Sequence, residues 1–148
     1  MQIYMDVCCL CRPYDDISQE RIYFEAEAVL SIISRCESGE WTLISSGIID
    51  FELSKISDMD ILEKVYTTYS VAKERFLLTP EAEQRATVLQ QHGLKPFDSL
   101  HVALAEKCGA DVFLTTDKRL LKKSNRIGVS IRVANPLFWF MEVTTDEW

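Results

Sequence analysis

Short apolar runs alternate with longer amphipathic stretches along this chain of 148 residues. The apolar runs predict strands, because a strand that is buried on both faces reads as a nearly continuous hydrophobic segment. The predicted strands are residues 2–6, 41–45 and 111–116, with further candidates at 129–133 and 76–78. Strands that alternate with helices are typical of a parallel sheet with helices on both faces. The pattern therefore predicts an α/β fold with a central, mainly parallel sheet.

The longest helix is predicted over residues 18–38, where apolar side chains recur at helical spacing. Ser18 is the expected N-cap, and Gly39 suits the helix end. The stripe expected to face the core consists of Ile22, Ala26, Val29, Leu30, Ile33 and Cys36. Further helices are predicted over residues 47–56, 59–70, 80–92 and 96–109. Pro80 and Pro96 suit the first turns of the last two helices.

The composition predicts a domain that needs no disulfide bonds and has no membrane-spanning segment. The hydrophobic content of 47% can fill a core, so we expect a single domain over residues 1–148. No apolar run approaches the roughly 20 residues of a membrane-spanning helix, and the N-terminus does not resemble a secretion signal. The cysteines number five, an odd count that suits a reducing compartment. We therefore expect a cytoplasmic protein with no membrane partner.

Charge is distributed unevenly along the chain. The formal net charge of -7 argues against a protein that coats nucleic acid by bulk attraction, since that mode needs many Lys and Arg contacts to phosphates. A basic run nevertheless follows Asp117 directly and comprises Lys118, Arg119, Lys122, Lys123 and Arg126. Such a run is usually a solvated helix face, but its position next to an acid makes phosphate binding a reasonable hypothesis.

Four acids occur where the predicted elements can bring them together. Asp6 and Asp117 stand at the carboxyl ends of two predicted strands, where parallel sheets form a crevice. Asp98 lies in the first turn of a predicted helix. Glu52 is spaced four residues from Ile48 and from Ile56, so we expect it to point inward from an apolar helix face.

Each acid taken alone has an ordinary structural explanation, but the set does not. Asp6 and Asp117 suit turns or helix caps, and Asp98 suits a helix N-terminus. Glu52 is different because an inward carboxylate costs several kcal/mol unless a cation, a basic group or a proton satisfies it. Carboxylates brought close together repel one another, and a bound Mg²⁺ or Mn²⁺ removes that penalty. The acids therefore predict metal-assisted hydrolysis of a phosphodiester.

Three stretches of the chain carry a family resemblance. They are IYMDVCCLCRPYDD (3–16), SSGIIDFELSKI (45–56) and KPFDSLHVALAEKCGADVFLTTDKRLL (95–121). The last is the most specific, because it joins an Asp at the start of a helix of small residues to a strand that ends in Thr-Thr-Asp. With these stretches the chain resembles the PIN-domain nucleases, particularly the small bacterial VapC-like toxins.

The resemblance implies a Rossmann-like three-layer α/β/α sandwich that cleaves RNA with Mg²⁺ or Mn²⁺. It carries the acidic residues of the family onto Asp6, Glu52, Asp98 and Asp117, and the family hydroxyl onto Thr115 or Thr116. Asp6, Asp98 and Asp117 would then hold one or two metal ions, while Glu52 serves a second position or orients the attacking water. We assign flanking phosphates to Lys118, Arg119 and Lys122. The chain departs from the family by having Val7 and Cys8 where a Thr or Ser often follows the first Asp.

Other active-site chemistries fit the residues less well. A dehalogenase-like phosphatase needs an acid two residues after Asp6, where this chain has Cys8. A phosphorelay receiver needs an acidic pair beside the first strand, and Asp15 and Asp16 are remote from it. A zinc site at Cys8 and Cys11 lacks a second ligand pair, and small buried thiols are the simpler explanation. A nucleophilic cysteine would have to pair with His101, which we interpret as an ordinary helix residue near Leu100 and Leu104.

Two interpretations of the protein as a whole remain open at this stage. A metal-dependent ribonuclease of a toxin–antitoxin pair would need a small antitoxin protein to occlude its site. A PIN-like module that only binds protein or RNA is the alternative, and measurable binding of Mg²⁺ or Mn²⁺ would distinguish the two. The apolar segment from Leu137 to Met141 is either a cover on the sheet or a homodimer interface.

Overall fold

The computed structural model describes all 148 residues and contains one sheet of five strands. The strands are β1 (Gln2–Met5), β2 (Thr42–Ser46), β3 (Glu74–Phe76), β4 (Val112–Leu114) and β5 (Arg132–Ala134). Every pairing is parallel, and the strand order is β3-β2-β1-β4-β5. The prediction of an α/β fold with a parallel sheet is therefore confirmed.

Eight α-helices connect and cover the strands. They are α1 (Val7–Cys11), α2 (Glu20–Glu37), α3 (Gly47–Leu53), α4 (Met59–Tyr69), α5 (Pro80–Gln91), α6 (Pro96–Lys107), α7 (Lys118–Ile127) and α8 (Pro136–Val143). Short 3₁₀ helices occupy Arg12–Tyr14 and Thr145–Glu147. None of the helices has both the length and the apolar composition needed to cross a bilayer.

The strand order places β1 at the centre and makes it the point where the chain reverses direction across the sheet. Strands β2 and β3 follow on one side, whereas β4 and β5 lie on the other. Consecutive residues of a strand point to opposite faces, and Ile3, Tyr4 and Met5 are all fully buried. Both faces of β1 are therefore covered by helices. The crevice at the carboxyl ends of β1 and β4 is the switch point where α/β sheets usually bind ligands.

Helix α2 differs from its prediction at its start and on one side of its inward face. It begins at Glu20, and its N-cap Gln19 makes no side-chain hydrogen bond to the helix, so Ser18 is not the cap. Leu30 is 42% exposed, whereas Glu25 is 1% exposed. The buried face of α2 is therefore rotated relative to the predicted stripe, because Glu25, which has partners inside the protein, is buried and Leu30 is not.

The remaining differences concern short elements. Strand β5 begins three residues later than the predicted strand at 129–133, and β3 ends where the candidate at 76–78 begins. The hydrophobic pattern does not predict α1, because five residues are too few to show a helical period. Its N-cap is Asp6, so the acid at the end of β1 also starts a helix.

The C-terminal segment combines a buried and an exposed face. Trp139 of α8 is 2% exposed and lies edge-on to Trp41, with ring centroids 5.1 Å apart. Helix α8 packs on α2. Phe138 of α8 is 70% exposed. The segment thus packs on α2 and Trp41 with one face, and its other face is open to solvent.

Candidate active site

Asp6 is held at the switch point by backbone and side-chain hydrogen bonds. Its backbone N–H donates to the Leu114 carbonyl at 3.2 Å, which extends the pairing of β1 with β4. Its Oδ1 accepts a hydrogen bond from the Cys9 N–H at 3.0 Å, as expected for an N-cap. The residue is only 5% exposed. Asp6 is therefore a buried carboxylate whose position is determined by the sheet and by α1.

Thr115 connects Asp6 to Asp117 across the ends of the two central strands. Its hydroxyl donates to Asp6 Oδ2 at 2.6 Å and accepts from the Asp117 backbone N–H at 3.0 Å. Thr116 is also buried, but its hydroxyl bonds no other protein group, and its carbonyl accepts a hydrogen bond from Arg21 at 3.4 Å. Of the two threonines proposed from the sequence, Thr115 is the one in contact with a candidate acid.

Asp117 caps α7 and keeps one carboxylate oxygen free of the protein. Its Oδ1 accepts hydrogen bonds from the backbone N–H groups of Arg119 and Leu120 at 2.9 and 3.3 Å. Its Oδ2 has no hydrogen-bond partner within the chain. Asp117 is therefore the helix cap that the sequence predicts, and capping with one oxygen leaves the other available to a ligand.

Asp98 lies in the first turn of α6, next to Pro96. Burial raises its pKa above the ordinary value, and the nearby carboxylate of Asp117 raises it further. Glu52 acts in the same direction, while His101 and Lys95 oppose the rise. Asp98 is therefore close enough to Asp117 and Glu52 to experience their charge, which is the proximity that the sequence predicts.

Glu52 is less buried than the sequence predicts. Its neighbours Ile48, Ile49 and Leu53 on α3 are buried, but 31% of the Glu52 side chain is exposed. Its Oε1 contacts Nε2 of His101 on α6. A polar partner from the facing helix, rather than a metal ion alone, therefore satisfies one oxygen of this carboxylate.

His101 has polar contacts that the sequence interpretation does not include. It is 2% exposed, and besides Glu52 it contacts the Tyr4 hydroxyl through Nδ1 at 2.7 Å. His101 lies within α6, as the sequence predicts, but the sequence does not show these two hydrogen bonds. The spacing does carry a signal, because His101 lies three residues after Asp98 and so shares its helix face.

Electrostatics distinguish Asp6 from an ordinary buried polar group. Burial raises the pKa of Asp6 from 3.8 to about 6, although the hydrogen bonds from Thr115 and Cys9 lower it. Neither Asp6, Asp98 nor Asp117 forms an ion pair with a lysine or arginine. No lysine or arginine of the protein therefore pairs directly with any of the three aspartates.

Two properties of the aspartates suit a divalent cation: none is paired with a basic side chain, and all offer carboxylate oxygens as ligands. No group of three or more Asp, Glu, His or Cys side chains is close enough to form a preassembled metal site. The available donors are nevertheless carboxylate oxygens, which suit Mg²⁺ and Mn²⁺. A cation would also remove the cost of ionising Asp6 in its buried position.

A cavity of about 450 Å³ opens beside Asp117. It is lined by Val7, Cys8, Cys11, Arg12, Asp15, Thr116 and Asp117. Burial and the surrounding acids, Asp6 first among them, raise the pKa of Cys8 to about 12. The thiol that follows Val7 therefore stays protonated at neutral pH, and it adds no charge where the family often has a hydroxyl.

Two further features border the acids. Lys118, Arg119 and Lys122 of α7 are exposed and form no ion pair, so the predicted basic face exists next to Asp117. Phe51 and Phe97, the sequence neighbours of Glu52 and Asp98, stack with centroids 5.7 Å apart and rings inclined by 16°. They are 48% and 43% exposed.

A second buried carboxylate lies near the site but has a different environment. Glu25 of α2 is 1% exposed, and its Oε1 lies 3.1 Å from Arg12 Nε. Its Oε2 accepts hydrogen bonds from Arg21 Nε at 3.3 Å and from Asn135 Nδ2 at 2.6 Å. The Glu25 cluster, defined here as Glu25, Arg12, Arg21 and Asn135, thus ties α2 to the segments after α1 and β5.

Parallel strands, flanking helices and carboxylates at the strand ends define a class of α/β domain whose chemistry lies at the switch point. The sequence profile of the PIN domain matches residues 15–125. This match covers most of the chain, so the protein belongs to the PIN domain family, whose members are generally nucleases. Glu52, Asp98 and Asp117 lie within the matched segment, and Asp6 precedes it.

Solved structures share this fold at low sequence identity. One is the crystal structure of VapBC2 from Rickettsia felis bound to a DNA fragment from their promoter, with a TM-score of 0.59 and 15% identity over 91% of this chain and 98% of that chain. Another is PAE2754 from Pyrobaculum aerophilum, with a TM-score of 0.57 and 14% identity over 98% of this chain and 90% of that chain. No curated protein sequence matches significantly. At these identities the likeness establishes a common fold.

Proposed function

We propose that the protein is a divalent-metal-dependent endoribonuclease that hydrolyses RNA phosphodiester bonds. It acts in the cytoplasm as a single domain over residues 1–148. The observation that carries this proposal is Asp6, a carboxylate buried at the switch point of a PIN domain with no cationic partner. The carboxylate of Asp98 is close enough to raise the pKa of Asp6 further, and Thr115 links Asp6 to the backbone of Asp117.

In this proposal Asp6, Asp98 and Asp117 hold one or two Mg²⁺ or Mn²⁺ ions, and Glu52 serves a second position or orients the attacking water. A bound ion supplies positive charge that lowers the pKa of water and stabilises the negative charge that develops on the phosphate. Thr115 holds Asp6 and the backbone of Asp117 in register, so its hydroxyl fixes the geometry of two ligands at once.

The surroundings of the acids suit single-stranded RNA. Unpaired bases stack on aromatic side chains, and Phe51 and Phe97 expose stacked rings beside Glu52 and Asp98. Lys55 Nζ lies 4.8 Å from the centroid of Phe51 and adds positive charge at this position. On the other side of the site Lys118, Arg119 and Lys122 hold the flanking phosphates.

We further propose that this nuclease is the toxin of a type II toxin–antitoxin pair. The resemblance to VapC-like toxins and the shared fold with the Rickettsia felis VapBC2 complex support this assignment. A small antitoxin would insert an Arg guanidinium among Asp6, Glu52, Asp98 and Asp117, where it replaces the charge of the metal with bidentate hydrogen bonds. The exposed face of α8 around Phe138 and Met141 supports a homodimer as a companion feature.

The activity is tested by incubating the purified protein with total cellular RNA, with Mg²⁺ or Mn²⁺ and with a chelator, and by mapping the cut ends. We expect metal-dependent cuts that are lost in Asp6→Asn and Asp98→Asn and kept in the exposed control Glu63→Gln. If calorimetry detects no Mn²⁺ binding and no cuts occur, a PIN-like module that binds protein or RNA is the better assignment.

The toxin assignment needs a separate experiment. Co-expression with the neighbouring small open reading frame should yield a complex whose nuclease activity recovers when the partner is removed. Added Mn²⁺ should compete with the partner for the site. A protein that is tolerated at high expression with its four acids intact, and that captures no partner, would instead have a housekeeping role.

A further inference from the structure

A continuous chain of hydrogen bonds leads from the end of β2 to Glu52. Ser46 is the last residue of β2 and the N-cap of α3, and its Oγ accepts a hydrogen bond from the Ile49 N–H at 3.1 Å. The same Oγ lies 2.9 Å from the Tyr4 hydroxyl, which lies 2.7 Å from Nδ1 of His101. The opposite nitrogen of the imidazole contacts Glu52 Oε1.

One arrangement of protons along this chain leaves no buried hydroxyl proton without an acceptor. Ser46 is fully buried, and the Tyr4 oxygen is the acceptor within reach of its hydroxyl proton, so Ser46 donates to Tyr4. The Tyr4 hydroxyl then has only Nδ1 of His101 to which it can donate. An imidazole that accepts at Nδ1 is neutral and carries its proton on Nε2. That proton is directed at the Glu52 carboxylate.

Burial shields the hydrogen bonds of Ser46, Tyr4 and His101 from water. Tyr4 and Ser46 are 0% exposed and His101 is 2% exposed, so water does not compete for these hydrogen bonds. Tyr4 is fixed by the central strand, where its ring also stacks on Phe113 with centroids 5.2 Å apart. The orientation of the imidazole is therefore set by the core of the sheet and not by the solvent.

We propose that His101 is a positioning residue, held as the neutral Nε2–H tautomer by Tyr4 and Ser46, that orients Glu52 for the metal-dependent reaction. It occupies one oxygen of the Glu52 carboxylate and leaves the other without a protein partner, close enough to Asp98 for the two charges to interact. This inference deepens the proposed function and rests on it for the identity of the metal. Groups that hold a ligand through a hydrogen bond typically change metal affinity by about 10- to 100-fold.

Two substitutions at position 101 separate the two hydrogen bonds. The amide of His101→Gln reaches the position of Nε2 and keeps the donor toward Glu52. The amide of His101→Asn reaches only the position of Nδ1, so it keeps the partner of Tyr4 and loses the donor. With Mn²⁺ alone as the calorimetric probe, we expect His101→Asn to weaken binding by about tenfold or more and His101→Gln to weaken it much less.

A double-mutant cycle with Glu52→Gln shows whether the effect passes through Glu52. In that background the Asn and Gln variants should bind Mn²⁺ equally, because the carboxylate that His101 orients is gone. Circular dichroism confirms that each variant is folded. Equal Mn²⁺ affinity of His101→Asn and the wild type would overturn the proposal, as would an undiminished difference between Asn and Gln in the Glu52→Gln background.

The tautomer itself is measured in the metal-free wild type, with no activity assay, and Tyr4→Phe is the comparison. A two-bond ¹H–¹⁵N correlation spectrum at pH 8 should show His101 as the Nε2–H tautomer, and Tyr4→Phe should convert part of the population to the Nδ1–H form. An Nδ1–H tautomer in the wild type would refute the inference. If the wild type binds no Mn²⁺, the proposed function fails, and this spectrum still decides the hydrogen-bond assignment.

Discussion

Two buried carboxylates of this protein have opposite electrostatic environments. Glu25 contacts two arginines and an asparagine amide, so its charge is neutralised inside the fold. Asp6 accepts hydrogen bonds from Thr115 and from the Cys9 N–H, but no basic side chain lies against it. Both residues are nearly inaccessible to water, at 1% and 5% exposure. Burial is therefore not the property that distinguishes them.

The difference separates an acid that is paired inside the fold from one that has no cationic partner there. A buried ion pair needs no external ligand, and removing one partner leaves an uncompensated charge. Ionising a buried carboxyl group that has no cation beside it costs free energy, and only a proton or a bound cation removes this cost. Glu25 thus forms ion pairs that connect α2 to the segment after α1, whereas Asp6 has no cationic partner within the chain.

The largest expected effect comes from removing the unneutralised charge. Asp6→Asn and Asp98→Asn should lower RNA cleavage by roughly a thousandfold, which corresponds to the several kcal/mol that a metal ion contributes to catalysis. Single-turnover cleavage rates at saturating Mn²⁺ measure the effect. The free energy of unfolding without metal should be unchanged or higher. Wild-type rates in both variants would sink the site assignment.

Glu25→Gln should have the opposite profile. Breaking this buried ion pair leaves Arg12 and Arg21 without their shared carboxylate, so we expect a loss of about 3 to 5 kcal/mol in the free energy of unfolding. Urea denaturation measures the loss, and Glu63→Gln is the exposed control. Mn²⁺ affinity of the folded variant should stay at the wild-type value. A drop in affinity as large as that of Asp6→Asn would show that the two carboxylates are not functionally distinct.

The pH dependence of stability sharpens the same contrast. Since the pKa of Asp6 is about 6 in the folded protein and 3.8 is its ordinary value, the folded state binds this proton more tightly than the unfolded state. Stability contributed by the proton is complete below pH 3.8 and is lost as the pH rises to about 6. The free energy of unfolding of metal-free Asp6→Asn should therefore rise relative to that of the wild type as the pH increases across this window, by up to about 3 kcal/mol. Parallel curves for the two proteins would contradict the raised pKa.

The stacked rings of Phe51 and Phe97 should contribute to the binding of RNA and not to the binding of metal. Phe51→Ala and Phe97→Ala each remove a stacking surface, so single-stranded RNA should bind about tenfold more weakly while Mn²⁺ affinity is kept. Fluorescence anisotropy with a labelled oligonucleotide measures the change. Tyr66→Ala on α4 removes an exposed ring that adjoins no candidate acid and is the control. Equal losses in all three variants would remove the case for a specific stacking site.

The smallest effect is expected from the basic face of α7. Charge reversal of Lys118 and Lys122 should raise KM for RNA more than it lowers kcat. It should also flatten the salt dependence of binding by about 0.7 in the logarithmic slope for each phosphate that the variant no longer neutralises. Lys107→Glu, at the opposite end of α6 from Asp98, is the matched control. An unchanged slope would show that Lys118 and Lys122 are merely solvated.

Local sequence signals predict the elements of this fold better than they predict its polar contacts. The helices that begin at Pro80 and Pro96 are found at those residues, because the preference of proline for the first turn needs no information from the rest of the chain. The placement of Asp6 and Asp117 at neighbouring strand ends follows from the parallel sheet. Thr115, as one of two candidate hydroxyl residues, comes from the family resemblance and not from a local signal.

The contacts that the sequence does not reveal join distant segments. Glu25 is buried because Arg12, Arg21 and Asn135 meet it in space, and Asn135 is 110 residues away. His101 forms its hydrogen bond with Tyr4, which lies 97 residues earlier in the chain, so the sequence around His101 does not reveal it. A hydrophobic period records which face of a helix is inward, but not which polar group it meets there.

The bond from Thr115 to Asp6 also determines when the site can exist during synthesis. These residues are 109 positions apart, and β1 lies between strands that are translated later. At about 5 to 20 residues per second, roughly 5 to 20 s separate the synthesis of Asp6 from that of Thr115. A nascent chain therefore has no assembled acidic site during most of its translation.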